Sequence, residues 1–166
     1  MMTSFFKVIP NYSNIELQSL KNDVIWINDY LKYNLILDIK LSNDNQYIHY
    51  EMAKLDSEQS LKWLEEARDE NSEIYYTEVI LFFIKVFLDT LKTNSSYVDI
   101  GGDHLFTDTD GKRIVIDWDD FLLIKDESIQ QKVERFKKQL KNKCIGIDMY
   151  KKACKELKRK EPANDE

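Results

Sequence analysis

The sequence predicts an α+β fold, a single domain over residues 1–160 with about five helices and two antiparallel β-hairpins, or a small antiparallel sheet, packed on a central apolar helix. Three observations lead there. The hydrophobic period switches between 3.6 and 2 along the chain. EIYYTEVILFFIKVFLDTLK, the most apolar stretch, has the length of a buried helix. Only four Gly and two Pro accompany a charged content of 33%, which disfavours an all-β chain. With 43% apolar residues in 166, the chain can fill the core of one ordinary domain.

Ser13 followed by Glu16 has the spacing of a capping box, and Ile15, Leu20, Val24, Ile27 and Leu31 then recur at helical intervals, predicting a first helix over about 14–33. LILDIKLS alternates, with Leu35, Leu37, Ile39 and Leu41 on one face. NDN supplies a turn and QYIHYEM alternates again, which reads as a hairpin. Asp56 or Ser57 is the expected cap of a short acidic helix carrying Leu61, Trp63, Leu64 and Ala67, with a break near Asn71 and a new cap at Ser72. In the apolar stretch that follows, Glu78, Lys85, Asp89 and Lys92 form one narrow polar stripe. Those charges make a membrane span costly, so no membrane anchor is expected.

After TNSS the chain reads as strand YVDI, a bend at Gly101 and Gly102, a strand near HLFT, the turn DTDG and the strand KRIVIDW. Two helices close the sequence: SIQQKVERFKKQLK, with Ile129, Val133, Phe136 and Leu140 on one face, and IDMYKKACKELK, with Ile147, Tyr150, Cys154 and Leu157. Residues 161–166 read as a disordered tail.

Cys144 and Cys154 lack a CxxC partner or nearby histidine, so neither a disulfide nor a zinc site is expected. The N-terminal residues have no basic, apolar pattern of a signal peptide, and the expected location is the cytoplasm. Net charge is −6, unevenly spread: residues 1–120 hold 11 Lys/Arg against 22 Asp/Glu, and residues 121–160 hold 13 against 5. An acidic body repels nucleic acid and attracts basic proteins. KKQLKNK and KKACKELKRK are lysine-rich but poor in exposed aromatics, so they read as solvated helix faces and not as a nucleic-acid site.

Asp103, Asp108, Asp110, Asp117, Asp119 and Asp120 form the densest acidic region. A calcium loop with its glycine at Gly111 puts Phe106 where the first carboxylate belongs, so the template fails. On a continuous strand Asp117 and Asp119 point to one face, Trp118 and Asp120 to the other, so at most half the cluster converges on a cation. His49 and His104 lack the Ser or Thr two residues on that two-histidine phosphoesterases carry, and no hydrolase elbow is present. No catalytic residue, metal ligand or cofactor is therefore assigned.

GDH followed by DTDGKRIVIDWDD resembles, over about twenty residues, the catalytic stretch of aminoglycoside phosphotransferase-like kinases. It departs in having no Asn after His104, a short spacing to Asp117 and no glycine-rich loop. The same GGD and acidic strand also resemble the bacterial immunity superfamily named after yeast Smi1 and Knr4, with a different helix order.

What remains is binding. The acidic side chains either solubilise the surface or recognise a basic protein electrostatically, and the candidate partner-binding set is Asp103, Asp108, Asp110, Asp117, Trp118, Asp119, Asp120 and Phe121, with Glu65, Glu66, Asp69 and Glu70 as a second patch. Tyr47 and Tyr50 can contribute or lie in the core. The expectation is an immunity protein or antitoxin that blocks a basic toxin or effector domain. The alternatives are a divalent-metal phosphotransferase or nuclease using Asp103 to Asp120, and an adaptor or phage-encoded inhibitor.

Overall fold

The structure, a computed structural model, describes residues 4–55, 59–108 and 110–161. In chain order the elements are β1 (Ser4–Pro10), α1 (Leu17–Leu31), β2 (Ile36–Leu41), β3 (Tyr47–Ala53), β4 (Gln59–Ser60), α2 (Lys62–Glu66), α3 (Ser72–Tyr75), a π-helical turn (Tyr76–Ile80), α4 (Leu81–Thr90), a 3-10 turn (Gly102–His104), β5 (Leu105–Thr107), β6 (Arg113–Val115), α5 (Asp119–Leu123), α6 (Ile129–Lys143) and α7 (Gly146–Lys160). Helices and small antiparallel sheets make this the α+β class read from the sequence. The chain resolves into two compact units, Met1–Gln59 with Phe106–Ile124 and Ser60–Leu105 with Lys125–Glu166.

Unit one is built on an antiparallel sheet of order β1–β3–β2. Register pairs Phe6 with Glu51, Val8 with His49 and Ile39 with Tyr50. Because strand side chains alternate, Ile48, Tyr50 and Met52 of β3 turn inward and are buried, while Tyr47, His49 and Glu51 face outward. α1 packs against β2, burying Leu20, Ile27 and Leu31. An aromatic cluster completes this core: Trp26 stacks on Tyr30 at 5.0 Å and on Phe121 at 5.3 Å, and Trp118 meets Phe121 edge-on at 5.3 Å.

Three local readings change in this unit. β1, which no sequence signal above assigned, is an edge strand. The Ser13–Glu16 capping box does not form: Glu16 occupies the N-cap position without a side-chain hydrogen bond. Asn11 organises the entry instead, its Oδ1 accepting from the Ile15 N–H at 2.8 Å. In β2 a register shift between Ile36 and Asp38 breaks the expected alternation, so Leu35, Ile36 and Ile39 are buried while Leu37 is 41% exposed.

Unit two centres on the apolar helix read from the sequence. α3, the π turn and α4 run without a break from Ser72 to Thr90, burying Tyr75, Val79, Ile80, Phe83, Ile84, Val86 and Phe87, with the Lys85–Asp89 pair outside at 2.7 Å. α3 begins at Ser72, with Asn71 in the cap position and no side-chain cap bond, so Ser72 is the first helical residue and not the cap. The expected cap at Asp56 or Ser57 lies outside the described residues, as does most of the 161–166 tail.

α6 opens with a reciprocal capping box between Ser128 and Gln131, and its Phe136 stacks on Phe87 at 4.2 Å. α7 buries Ala153 and Leu157. Ile129 and Ile147, placed on the buried faces by spacing, are 46% and 59% exposed because both sit in the first turn of their helices.

YVDI is buried at Tyr97, Val98 and Ile100 but pairs with no strand among the described residues; side chains fasten this segment. The Tyr97 N–H donates to Thr90 Oγ1 at 3.0 Å, and Arg135 Nη2 donates to Ser96 Oγ at 3.0 Å while pairing with Glu127 at 2.7 Å. Lys132, 2% exposed, sends Nζ to the carbonyls of Leu91 and Thr93, closing the C-terminal end of α4. Burial holds its ammonium below the ordinary lysine range, with Glu127 opposing the shift.

The glycine pair has a steric role. Gly102 N–H donates to Glu65 Oε1 at 3.0 Å, and a Cβ on Gly102 would lie 2.4 Å from the Leu61 carbonyl oxygen. Backbone cannot yield as a flexible side chain can. Gly102→Ala is therefore expected to cost about 1–3 kcal/mol in urea unfolding, the usual range for overpacking. A loss below about 0.5 kcal/mol, the scale of a neutral surface change, would show that α2 and the 3-10 turn are not closely joined.

Candidate protein-binding surface

The second hairpin is shaped by its aspartates before it can offer them to a partner. Asp108 Oδ1 accepts the N–H groups of Asp110 and Lys112, each at 2.9 Å, and Gly111 takes φ +79°, a conformation glycine adopts at little cost. Asp108 is half-buried by this turn and Asp110 is exposed. β6 ends at Val115, two residues before Asp117, so the alternating-face argument does not reach the acidic run. Asp117 instead takes a left-handed φ of +66°, and Asp119 and Asp120 open α5.

The break in the strand gathers Asp117 and Asp119 around β1 and β3. Lys7 Nζ lies 2.7 Å from Asp119 Oδ2 and 3.7 Å from Asp117 Oδ1, and the Tyr50 hydroxyl donates to Asp119 Oδ1. Burial, then the hydrogen bond to Asp119 and the charges of Asp119 and Asp117, push the Tyr50 phenol far above its ordinary range. Two of the six candidate aspartates are thus turned inward on one ammonium and one phenol, and their outward field is reduced.

Trp118 and Phe121 require a correction. Each is 2% exposed, and Trp118 Nε1 donates to the Val115 carbonyl at 2.8 Å. They form the core and cannot anchor a partner as placed. Asp103 belongs to unit two, exposed on the 3-10 turn, 3.9 Å from His104 Nε2. Among the described residues no group of three or more His, Cys, Asp or Glu side chains is arranged to hold a metal ion.

In the second patch Glu65 is committed to Gly102, and Glu66 lies 4.0 Å from Lys62. α2 ends at Glu66, so Asp69 and Glu70, both exposed, stand on the turn beyond it and not on one helix with Glu65. The basic C-terminal helices share unit two with these acids. Unit two holds 17 Lys/Arg against 17 Asp/Glu, whereas unit one holds 7 against 13, so the negative excess belongs to unit one.

Unit one also carries the surface that sequence reading missed. On the outer face of its sheet Phe6 is 77% exposed, Val8 53% and Tyr47 47%. Glu51, held by the Ser4 hydroxyl at 2.6 Å, and Asp38 lie on the same face. Exposed apolar side chains contiguous on one sheet face mark an interaction surface more strongly than scattered ones. Its signal was FFKVIP, a short run with one charge ending in proline, which is acceptable at a sheet edge. Tyr50, on the same strand as Tyr47 but of opposite parity, is core.

Among the described residues no helix is long and apolar enough to cross a membrane. No protein-family model matches the chain, and neither a curated protein nor a solved structure matches it.

Proposed function

We propose that this chain is a stoichiometric protein inhibitor acting in the cytoplasm, an immunity protein or antitoxin that neutralises a basic toxin or effector domain, such as a nuclease, by covering its active or substrate-binding surface. The carrying observation is the coincidence, in unit one, of the chain's whole negative excess with the exposed Phe6, Val8 and Tyr47 face. Charge of one sign steers encounter with a basic partner and apolar side chains supply the affinity. The anchors in this reading are Phe6, Val8 and Tyr47, in place of Trp118 and Phe121. Asp108 and Asp110 remain at the hairpin tip as charges that imitate phosphate.

The test is co-expression with the product of the neighbouring gene in cells whose growth that product arrests. Wild-type chain is expected to restore growth, and the triple variant Phe6→Ser, Val8→Ser, Tyr47→Ser to lose protection with its thermal unfolding unchanged. Loss of one central aromatic anchor costs at least about 2 kcal/mol, or roughly 30-fold in affinity. Full protection by a folded triple variant would move the interface off this face.

A further inference from the structure

Beside the outer sheet face, unit one has a polar hollow of about 400 Å³ lined by Tyr12, Asn14, Asp44, Asn45, Gln46 and Tyr47, among others. We propose that this hollow receives an arginine side chain of the protein partner, its guanidinium held between the tyrosines and the Asp44 carboxylate. The inference rests on the inhibitor reading above and names the chemistry by which that partner is read.

The lining comes from two loops, and they are fastened before any partner arrives. Asn11, 8% exposed, donates from Nδ2 to the carbonyls of Ile15 at 3.1 Å and Asn45 at 3.2 Å, and its own N–H reaches the Gln46 carbonyl at 2.8 Å. Asn14 and Asn45 take left-handed φ of +53° and +61°, fixing both loop bends. A cavity with a preset floor binds without the entropy cost of ordering its walls.

The walls have guanidinium chemistry. Tyr12 is 81% exposed and Tyr47 47% exposed, and both line the hollow, so aromatic surface is available there. Asp44 is fixed by the Ser42 hydroxyl at 2.6 Å and the Gln46 N–H at 3.1 Å. These bonds, the Ser42 one foremost, lower its pKa and keep it charged. A planar cation that stacks on aromatics and pairs with a carboxylate uses both wall types, whereas a compact ammonium exploits the stacking less. Among the described residues no lysine or arginine lines the hollow to compete.

The experiment titrates the full chain, labelled with nitrogen-15, with N-acetyl-arginine amide and follows backbone amide shifts. Saturable shifts confined to Asn11, Asn45, Gln46 and Tyr47 are expected, with Kd on the order of millimolar, as for one isolated side chain. The lysine analogue is expected to bind more weakly, and Asp44→Asn and Tyr47→Ala each to weaken the arginine analogue about two- to fivefold, the scale of one exposed cation–π or ion-pair contact. Both variants change exposed side chains, and unchanged thermal unfolding verifies their fold.

Absence of saturable shifts, or shifts that ignore both variants, overturns the proposal. Tighter binding of free arginine than of the blocked analogue also overturns it, since the ligand would then be an amino acid and not a protein side chain. Phe6→Ser with Val8→Ser separates the two readings. If that variant abolishes toxin protection while the arginine analogue never binds, the hollow is wrong and the inhibitor stands; if the analogue binds while protection survives that variant, the sheet face is wrong and the hollow stands.

Discussion

Replacing Trp118 by alanine is expected to lower stability by about 3–5 kcal/mol, the range for truncating a buried aromatic. The indole is 2% exposed, touches Trp26 at 6.4 Å, Tyr30 at 6.2 Å and Phe121 at 5.3 Å, and satisfies its N–H on Val115. Truncation removes both the apolar contacts and a ring that sits edge-on to all three neighbours. It also leaves the Val115 carbonyl without that donor in the interior, a loss that an apolar replacement does not repair. Urea unfolding followed by tryptophan fluorescence measures the change, with Trp26 as the reporter. A decrease under about 1 kcal/mol would place Trp118 at the surface and restore it as a partner anchor.

Alkaline conditions are expected to destabilise the protein progressively as pH climbs above 9. Burial raises several acids, chiefly the Cys144 thiol, from 9.0 to about 12, and the Tyr50 and Tyr75 phenols, above their ordinary 10.0. For Tyr75 the burial effect is reinforced by the charge of Glu65 and opposed by Arg68. In each case the folded chain keeps a proton that the unfolded chain releases. Their contribution is complete below pH 9 for the thiol and pH 10 for the phenols, and it falls as pH climbs toward the folded values, by up to about 1.4 kcal/mol per pH unit per group.

Lys132 works in the opposite sense. Its amine is lowered from 10.5, so between the two values the unfolded chain binds the proton and stability rises with pH. These acids outweigh this one base. Urea midpoints at pH 8, 10 and 11 are expected to drop in sequence, and Cys144→Ser to remove the earliest part of the decline. A midpoint constant from pH 8 to 11 would contradict the burial of these groups.

Sequence periodicity was most informative where one face of an element is buried over its whole length. The long apolar run could only be a helix packed on most sides, and Ser72–Thr90 is one. QYIHYEM alternates without interruption and β3 keeps that alternation. Failures cluster where a local backbone event resets the period. The irregularity between Ile36 and Asp38 exchanges the expected places of Ile36 and Leu37 at the start of β2, and the left-handed turn at Asp117 stands before the rest of the acidic run. β1 was illegible because a seven-residue edge strand with exposed aromatics, of which only Ile9 is fully buried, shows no sustained alternation.

At the site, the sequence located the acidic hairpin and named Tyr47, but it misassigned the anchors. Trp118 and Phe121 sit among aspartates in the sequence, yet α5 winds them inward while Asp119 turns to Lys7 and Tyr50. Composition cannot reveal that a carboxylate is already neutralised by a lysine more than a hundred residues earlier. The hollow beside Tyr47 was equally hidden, since its two loops are distant in the chain and are joined through Asn11 and the pairing of β1 with β3.

Unit one is assembled from two stretches of chain, with residues 60–105 made between them. During synthesis the sheet and α1 therefore leave the ribosome well before the ring cluster that finishes their interior, and Trp26 waits in water for Phe121 until α5 has emerged. A nascent chain in that interval exposes the very surface that chaperones hold, and closing it needs contacts of long sequence separation, which form slowly. Any nonsense codon before α5 would leave this half of the molecule without its interior, so even a late frameshift there should yield a polypeptide that is degraded and not one that is merely weaker.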